Sequence, residues 1–151
     1  MKLHIVLIEP EIPPNTGNIA RLCAATETDL HLVGRLGFRL DDKHLRRAGL
    51  DYWPLVNVFR HERLEDLLAG QDPSRFLFFS RKVPRPYTRA PFAWGSYLVF
   101  GRETQGLPES LLSRFADRSF CIPMFGAVRS LNLSTAAGIV LYEALRQLKG
   151  F

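Results

Sequence analysis

Short apolar runs recur along this chain at nearly even intervals, and most of the gaps between them carry helical spacing. The runs lie at 3–9, 29–33, 55–59, 76–80, 97–101 and 119–122, and the helix-like stretches at 17–27, 42–48, 61–70, 108–116 and 132–149. Two runs, Phe76-Leu77-Phe78-Phe79 and Tyr97-Leu98-Val99-Phe100, have no polar face at all. A strand with one wet face alternates apolar and polar side chains, whereas a strand apolar on both faces needs a helix layer above and below it. The pattern therefore predicts an α/β fold: a single domain over residues 1–151, with a largely parallel sheet covered by helices on both faces. A chain of 151 residues supports one substantial core and is too short for two comfortable ones.

Two segments interrupt this rhythm. Residues 34–54 are irregular and basic around Lys43, Arg46 and Arg47. Residues 81–96, "RKVPRPYTRAPFAWGS", form a long loop with three prolines, four cations and three aromatics. The final helix is regular, with Leu133, Ala137, Val140, Leu141, Ala144 and Leu148 on one apolar stripe. Gly138 inside it costs about 1 kcal/mol against alanine. A close approach by another backbone, from the same chain or from a second subunit, offsets that cost. With Ala136 and Ala137 beside it, Gly138 leads us to expect a homodimer.

The net charge of +5 points to an anionic partner, with nucleic acid first among them. No apolar run approaches the roughly 20 residues of a membrane span. Leu3 to Ile8 reads as a buried strand and not as a leader peptide, so we expect a cytoplasmic protein. Cys23 and Cys121 fit two buried reduced thiols, the alternatives being a disulfide or a nucleophile. His4, His31, His44 and His61 have no metal-ligand spacing among themselves or with the cysteines, and no metal is expected.

Three polar junctions follow apolar runs. At 10–21, Pro13 and Pro14 stiffen the turn, and Asn15 or Thr16 is placed to cap the following helix. A helix N-terminus suits an anion, and Arg21 lies five residues after Thr16; the plainer alternative is a capped helix with a solvated arginine. At 99–110, "VFGRETQGLPES", Gly101 and Gly106 have phosphate-loop spacing, but Leu107-Pro108 replaces the required Lys and Ser/Thr, which excludes that motif. Gly101, directly after a strand, suits close approach by a ligand. Glu103 then stands at the lip of a crevice or, alternatively, in a surface ion pair. At 121–138, Ile122-Pro123 ends a run, and Ser130 and Asn132 open the last helix, Ser130 as its N-cap. Three such junctions at strand carboxyl ends predict one composite crevice.

Taken together, "PPNTGNIAR", "FGRETQGLPES" and "IPMFGAVRSLNLSTAAGIVLYEALRQL" resemble the three motifs of the SPOUT methyltransferases, and most closely those of the TrmL (YibK-like) tRNA 2′-O-methyltransferases. The resemblance spans essentially the whole chain, including "GFRLDDKHLRRAGLDYW" at 37–53. It implies a C-terminal deep trefoil knot, an exception to the rule that chains are unknotted. It also implies a bent S-adenosylmethionine in that knot and a homodimer whose subunits complete each other's sites. Carried over by position, the cofactor-binding residues are Phe79, Ser80, Gly101, Glu103, Gly106, Ile122, Met124, Ser130 and Leu131. The functional polar set is Asn15, Arg21, Glu103, Ser130 and Asn132. One stretch departs from the pattern: Phe125-Gly126-Ala127-Val128 is more apolar than expected of relatives.

The implied reaction is methylation of a ribose 2′-hydroxyl at the wobble nucleotide, cytidine or a modified uridine, in the anticodon stem-loop of leucine tRNAs. Arg46, Arg47, Lys82, Arg85, Arg89 and Arg129 are the expected RNA-binding cations. Tyr87, Phe92 and Trp94 either stack on bases or pack under their own loop. A guanidinium is a poor base, so Arg21 is expected to bind the neighbouring phosphate and stabilise charge on the oxygen. The proton goes to phosphate, water or a transiently neutral arginine. The other readings are a 2′-O-methyltransferase for another tRNA or ribosomal RNA position, and a non-catalytic RNA-binding module with the same fold.

Overall fold

The computed structural model describes residues 1–40, 43 and 50–151. Its strands are β1 (His4–Ile8), β2 (Asp29–Val33), β3 (Val58–His61), β4 (Phe76–Phe79), β5 (Tyr97–Phe100) and β6 (Ser119–Phe120). They form one sheet in the order β3-β2-β1-β5-β4-β6, and every pairing is parallel. The α-helices among the described residues are α1 (Pro13–Thr26), α2 (Leu64–Leu68), α3 (Glu109–Arg114) and α4 (Leu133–Lys149).

Strand alternation divides the core in two. Ile5, Leu7, Leu30, Leu32, Leu77, Leu98 and Phe100 point to one face and pack with Ile19, Ala20 and Cys23 of α1 and Ala137, Val140 and Leu141 of α4. Val6, Phe76, Phe78 and Val99 point to the other and pack with Leu67 and Leu68 of α2 and Leu112 of α3. The doubly apolar strands are therefore doubly covered, as their composition requires. Cys23 and Cys121 are free thiols, and burial pushes both thiol pKa values up.

Several expected boundaries shift. The run at 55–59 starts later, as β3 at Val58, because Leu50–Leu55 closes into a 3-10 helix. α1 opens four residues early, at Pro13, since proline suits the first helical position. The expected helix at 42–48 lies almost wholly outside the described residues.

The segment after β6 is enclosed on both sides. The Ser80 N–H donates to the Phe120 carbonyl at 2.9 Å, the Cys121 N–H donates to Arg85 at 2.6 Å, and the Tyr87 N–H donates to Cys121 at 2.7 Å. The chain at 120–121 thus passes between the end of β4 and the 81–96 loop before continuing to α4, which packs on α1. That enclosure is consistent with the knotted C-terminal topology of the SPOUT fold.

Parallel register also assembles a group that no spacing in the sequence announces. His4, His31 and His61 stand in a row across β1, β2 and β3, with His4 Nδ1 3.0 Å from His31 Nε2 and His31 Nδ1 3.0 Å from His61 Nε2. A neutral imidazole has one donor and one acceptor, so the row is satisfied when it is uncharged. Burial, and then the neighbouring His4 and His61, hold the His31 pKa down to about 3, against the opposing pull of Asp29. The unfolded chain takes up this proton near pH 6.5 and the folded chain only near pH 3, so stability present above pH 6.5 is lost as pH falls. Between pH 7 and pH 5 this one group costs about 2 kcal/mol. Urea unfolding at the two pH values is expected to show that loss in the wild type and a smaller loss in His31→Gln. Equal losses in the two proteins would refute the assignment.

Candidate active site

α1 begins with two prolines and has no side-chain cap of its own. Helix N-termini normally leave backbone N–H groups without partners; here Pro13 and Pro14 carry none. The amides just ahead of them are served from the β5 side. The Glu103 carboxylate accepts from the Glu11 N–H at 2.7 Å, the Ile12 N–H at 2.8 Å and Asn15 Nδ2 at 3.2 Å. Glu103 therefore already supplies the anion that the N-terminal end of α1 favours. This corrects the expectation that Asn15 or Thr16 caps α1: both lie inside the helix and are buried.

The stitching is reciprocal. Glu11 Oε1 accepts from the Thr104 N–H at 3.1 Å and from Thr104 Oγ1 at 2.7 Å, and these bonds lower the Glu11 pKa. Arg102 Nη2 donates to Glu9 Oε1 at 2.8 Å. Glu9 itself has φ +50°, a left-handed conformation that costs a non-glycine residue energy and persists where its surroundings over-determine it.

A third junction joins this set. Asn132 Nδ2 donates to Asn15 Oδ1 at 3.0 Å, while Asn132 Oδ1 accepts from the Ser134 and Thr135 N–H groups at 2.9 and 3.3 Å. Asn132, and not Ser130, is thus the N-cap of α4. The Glu103–Asn15–Asn132 relay ties the three strand-end segments together where the chain turns one way after β1 and the other way after β5. Such a switch point is the usual place for a ligand crevice in a parallel sheet.

A cavity of about 250 Å³ opens there. The end of β4 contributes Phe79 and Ser80, the β5 loop Gly101, Glu103 and Gly106, and the final loop Ile122, Met124, Ser130 and Leu131. All nine residues expected at a cofactor thus line one space. Arg81, Thr104 and Gln105 line it too; the sequence reading missed them, although each adjoins a residue it named. Gly101 has a reason other than ligand approach. A Cβ built on it would lie 2.1 Å from the Gly106 carbonyl carbon and 2.3 Å from the Leu107 nitrogen, so its own loop folds against it. Gly106 needs its freedom for φ +64°.

Arg21 stands apart from this cavity. It lies six residues beyond Asn15, about 9 Å along α1, on the exposed side of the helix, with its guanidinium 5.0 Å from the Tyr52 ring centroid. Among the other cations, Lys82 donates to the Gln105 and Leu107 carbonyls, each at 3.0 Å, and so braces the β5 loop. Arg85 donates to the Ala116 carbonyl at 3.0 Å and lies over the Phe120 ring. Arg89 and Arg129 are exposed, Arg129 at the cavity. Arg46 and Arg47 lie outside the described residues. Of the loop aromatics, Phe92 is buried beside Phe79, and Tyr87 and Trp94 pack partly buried against the main core. Phe92 thus packs under its own loop, while Tyr87 and Trp94 each keep part of their surface exposed. Among the described residues, no group of three His, Cys, Asp or Glu side chains is placed to hold a metal ion.

The model of the SpoU rRNA Methylase family matches residues 2–142. The chain belongs to this family. It is 48% identical over 147 residues to the tRNA (cytidine(34)-2′-O)-methyltransferase of Escherichia coli (strain K12), covering 97% of this chain and 94% of that protein. A solved structure described as "Structural insights into the 2-OH methylation of C/U34 on tRNA" superposes with a TM-score of 0.93 at 47% identity, over 99% of this chain and 98% of that one. The SpoU methyltransferase AviRb from Streptomyces viridochromogenes, in complex with the cofactor AdoMet, superposes with a TM-score of 0.84 at 25% identity, over 99% of this chain and 62% of that one. This SpoU-family chain thus shares nearly its whole length with the first two proteins, and its cavity lies in a fold that binds AdoMet in AviRb.

Proposed function

We propose that this SpoU-family protein is an S-adenosylmethionine-dependent tRNA 2′-O-methyltransferase. Its substrate is the ribose of the wobble nucleotide, cytidine or a modified uridine, in the anticodon stem-loop of leucine tRNAs. The observation that carries the reading is the convergence of three strand-end segments, locked by Glu103, Asn15 and Asn132, on one cavity. The 48% identity, over almost the full length, to a tRNA (cytidine(34)-2′-O)-methyltransferase supports the wobble cytidine of tRNA as the target.

The residues present fit the donor. The cavity offers apolar side chains for a flat ring at Phe79, Ile122 and Leu131, and polar groups and cations at its rim, including Ser130 and Arg129. When bound, S-adenosylmethionine supplies a methyl group already activated by its sulfonium, so the chain need supply no covalent nucleophile. What remains for the protein is placement of the 2′-oxygen and removal of its proton, and placement alone lowers such barriers by about 7 kcal/mol or more. Arg21, outside the cavity, binds the phosphate beside the target ribose and stabilises charge on the 2′-oxygen. Glu103 keeps α1, and with it Arg21, in fixed relation to the donor loop.

The active assembly in this reading is a homodimer. A Cβ on Gly138 would meet nothing within 4 Å among the described residues, so the close backbone approach expected there is not made within the described chain, and this stretch of α4 is left open to a second subunit. Mass spectrometry of tRNA from a strain lacking the protein tests the substrate. Loss of 2′-O-methylation at the wobble position of leucine tRNAs is expected. Persistence of the mark would defeat the reading, and loss at another nucleotide would reassign it.

RNA binding is expected to weaken steeply with salt. Removing a phosphate-contacting cation lessens the log–log slope by about 0.7 to 0.9. Arg89→Gln and Arg129→Gln are each expected to show that change in filter binding at graded salt. Arg85→Gln is expected to leave the slope unchanged, because its guanidinium is engaged within the fold.

A further inference from the structure

Arg21 is held by an aromatic ring and not by a carboxylate. Its guanidinium carbon lies 5.0 Å from the centroid of the Tyr52 ring, and among the described residues it has no ion pair. Tyr52 belongs to the 3-10 helix Leu50–Leu55 that leads into β3. The next residue, Trp53, packs against the main core and accepts the Val56 N–H at 3.2 Å. Tyr52 itself is half-buried, while Arg21 is exposed. The backbone that carries the ring is thus anchored beside the core through Trp53, and the long side chain that lies against the ring belongs to a neighbouring helix.

The kind of partner matters. A carboxylate would neutralise the guanidinium and occupy the N–H donors at its edge. An aromatic ring attracts a cation through its negative face, and a guanidinium stacked on such a face keeps its planar fork of donors. Tyr52 therefore limits the rotation of a flexible side chain while leaving charge and donors for an arriving anion. The other end of the same helix is held by Glu103, so both the helix and the tip of its arginine are restrained before RNA arrives.

Resting on the assignment of Arg21 to the phosphate and 2′-oxygen of the target ribose, we infer that Tyr52 is a positioning residue for methyl transfer. Its ring holds the Arg21 guanidinium in the plane from which the N–H donors reach the RNA. Its hydroxyl has no part in this, and its contact with the donor pocket is none: Tyr52 does not line the cavity.

The test measures transfer of a labelled methyl group from S-adenosylmethionine to total tRNA from a strain lacking the protein, alongside calorimetry of donor binding. Tyr52→Leu is expected to lower kcat about 2- to 30-fold, the range that cation–π contacts span between exposed and desolvated sites. Donor affinity is expected to stay unchanged, and Tyr52→Phe, which keeps the ring face, to match the wild type. In an Arg21→Ala background, Tyr52→Leu is expected to add nothing, since coupled residues do not act additively. If Tyr52→Leu does not fold, Tyr52→Met replaces it, with the same expectation. Wild-type turnover in the leucine variant beside an inactive Arg21→Ala overturns the positioning role, as does a phenylalanine variant as slow as the leucine one, or losses that multiply in the double variant. Wild-type turnover in Arg21→Ala itself overturns the underlying assignment, and the two failures are thereby told apart.

Discussion

Arg21→Ala is expected to lower methyl transfer to tRNA about 10²- to 10³-fold, the loss that follows removal of one donor to a developing oxyanion, and to leave S-adenosylmethionine affinity within twofold of wild type. The separation follows from geometry. The cavity is lined by the ends of β4, β5 and β6 and the loop before α4, and Arg21 is not among its lining residues. It projects from the exposed side of α1 beside Tyr52. Single-turnover transfer and donor calorimetry on the same preparation decide the matter. A fall in donor binding as large as the fall in turnover would move Arg21 to the donor side and overturn its assignment to the ribose. Arg21→Lys is expected to recover little, because an ammonium is a point charge without the planar fork that pairs with phosphate.

Gly101→Ala is expected to abolish measurable donor binding and to cost about 3 kcal/mol of stability, the upper end of ordinary overpacking. The added methyl would meet backbone atoms at 2.1, 2.3 and 2.4 Å, which have no flexible side chain to swing away. Relief requires the β5 loop to open. Opening breaks the Gly106 N–H bond to the Arg102 carbonyl at 2.8 Å and displaces Glu103 from the three donors it serves at the start of α1. The comparison variant is Gly106→Ala, where a Cβ has open space and the penalty is the left-handed φ alone, about 1–2 kcal/mol. Urea unfolding and donor calorimetry on both variants give the contrast. Wild-type donor affinity in Gly101→Ala would show that the loop has another way to close.

The two predictions draw on different kinds of information. The sequence placed Gly101 after a strand and so suggested a ligand close by. Only the folded loop shows that the residue's nearest neighbours are Gly106 and Leu107. Likewise, Glu103 reads as a lip residue or a surface ion-pair partner until its carboxylate is seen bonded to amides about 90 positions away, at Glu11 and Ile12. The aromatics of 81–96 looked equally suited to stacking and to packing, and for Phe92 its burial beside the Phe79 ring decides for packing. Phe125, in the stretch that departs from the family pattern, is instead 96% exposed.

Local spacing by itself determined the elements: doubly apolar runs became the interior strands β4 and β5, and the stripe from Leu133 to Leu148 became α4. It also determined the fold class, because strands without a polar face have few ways to be covered. The three motifs and their order were enough to indicate the family. Which polar group answers which was decided by the tertiary structure alone. Glu103 reaches Asn15 across 88 positions, and Asn132 reaches Asn15 across 117. Strand order and register bring such groups together, as they do His4, His31 and His61 across three strands. Periodicity reports only what a residue does within its own helix or strand, whereas a hydrogen bond between distant junctions depends on how the sheet is wound.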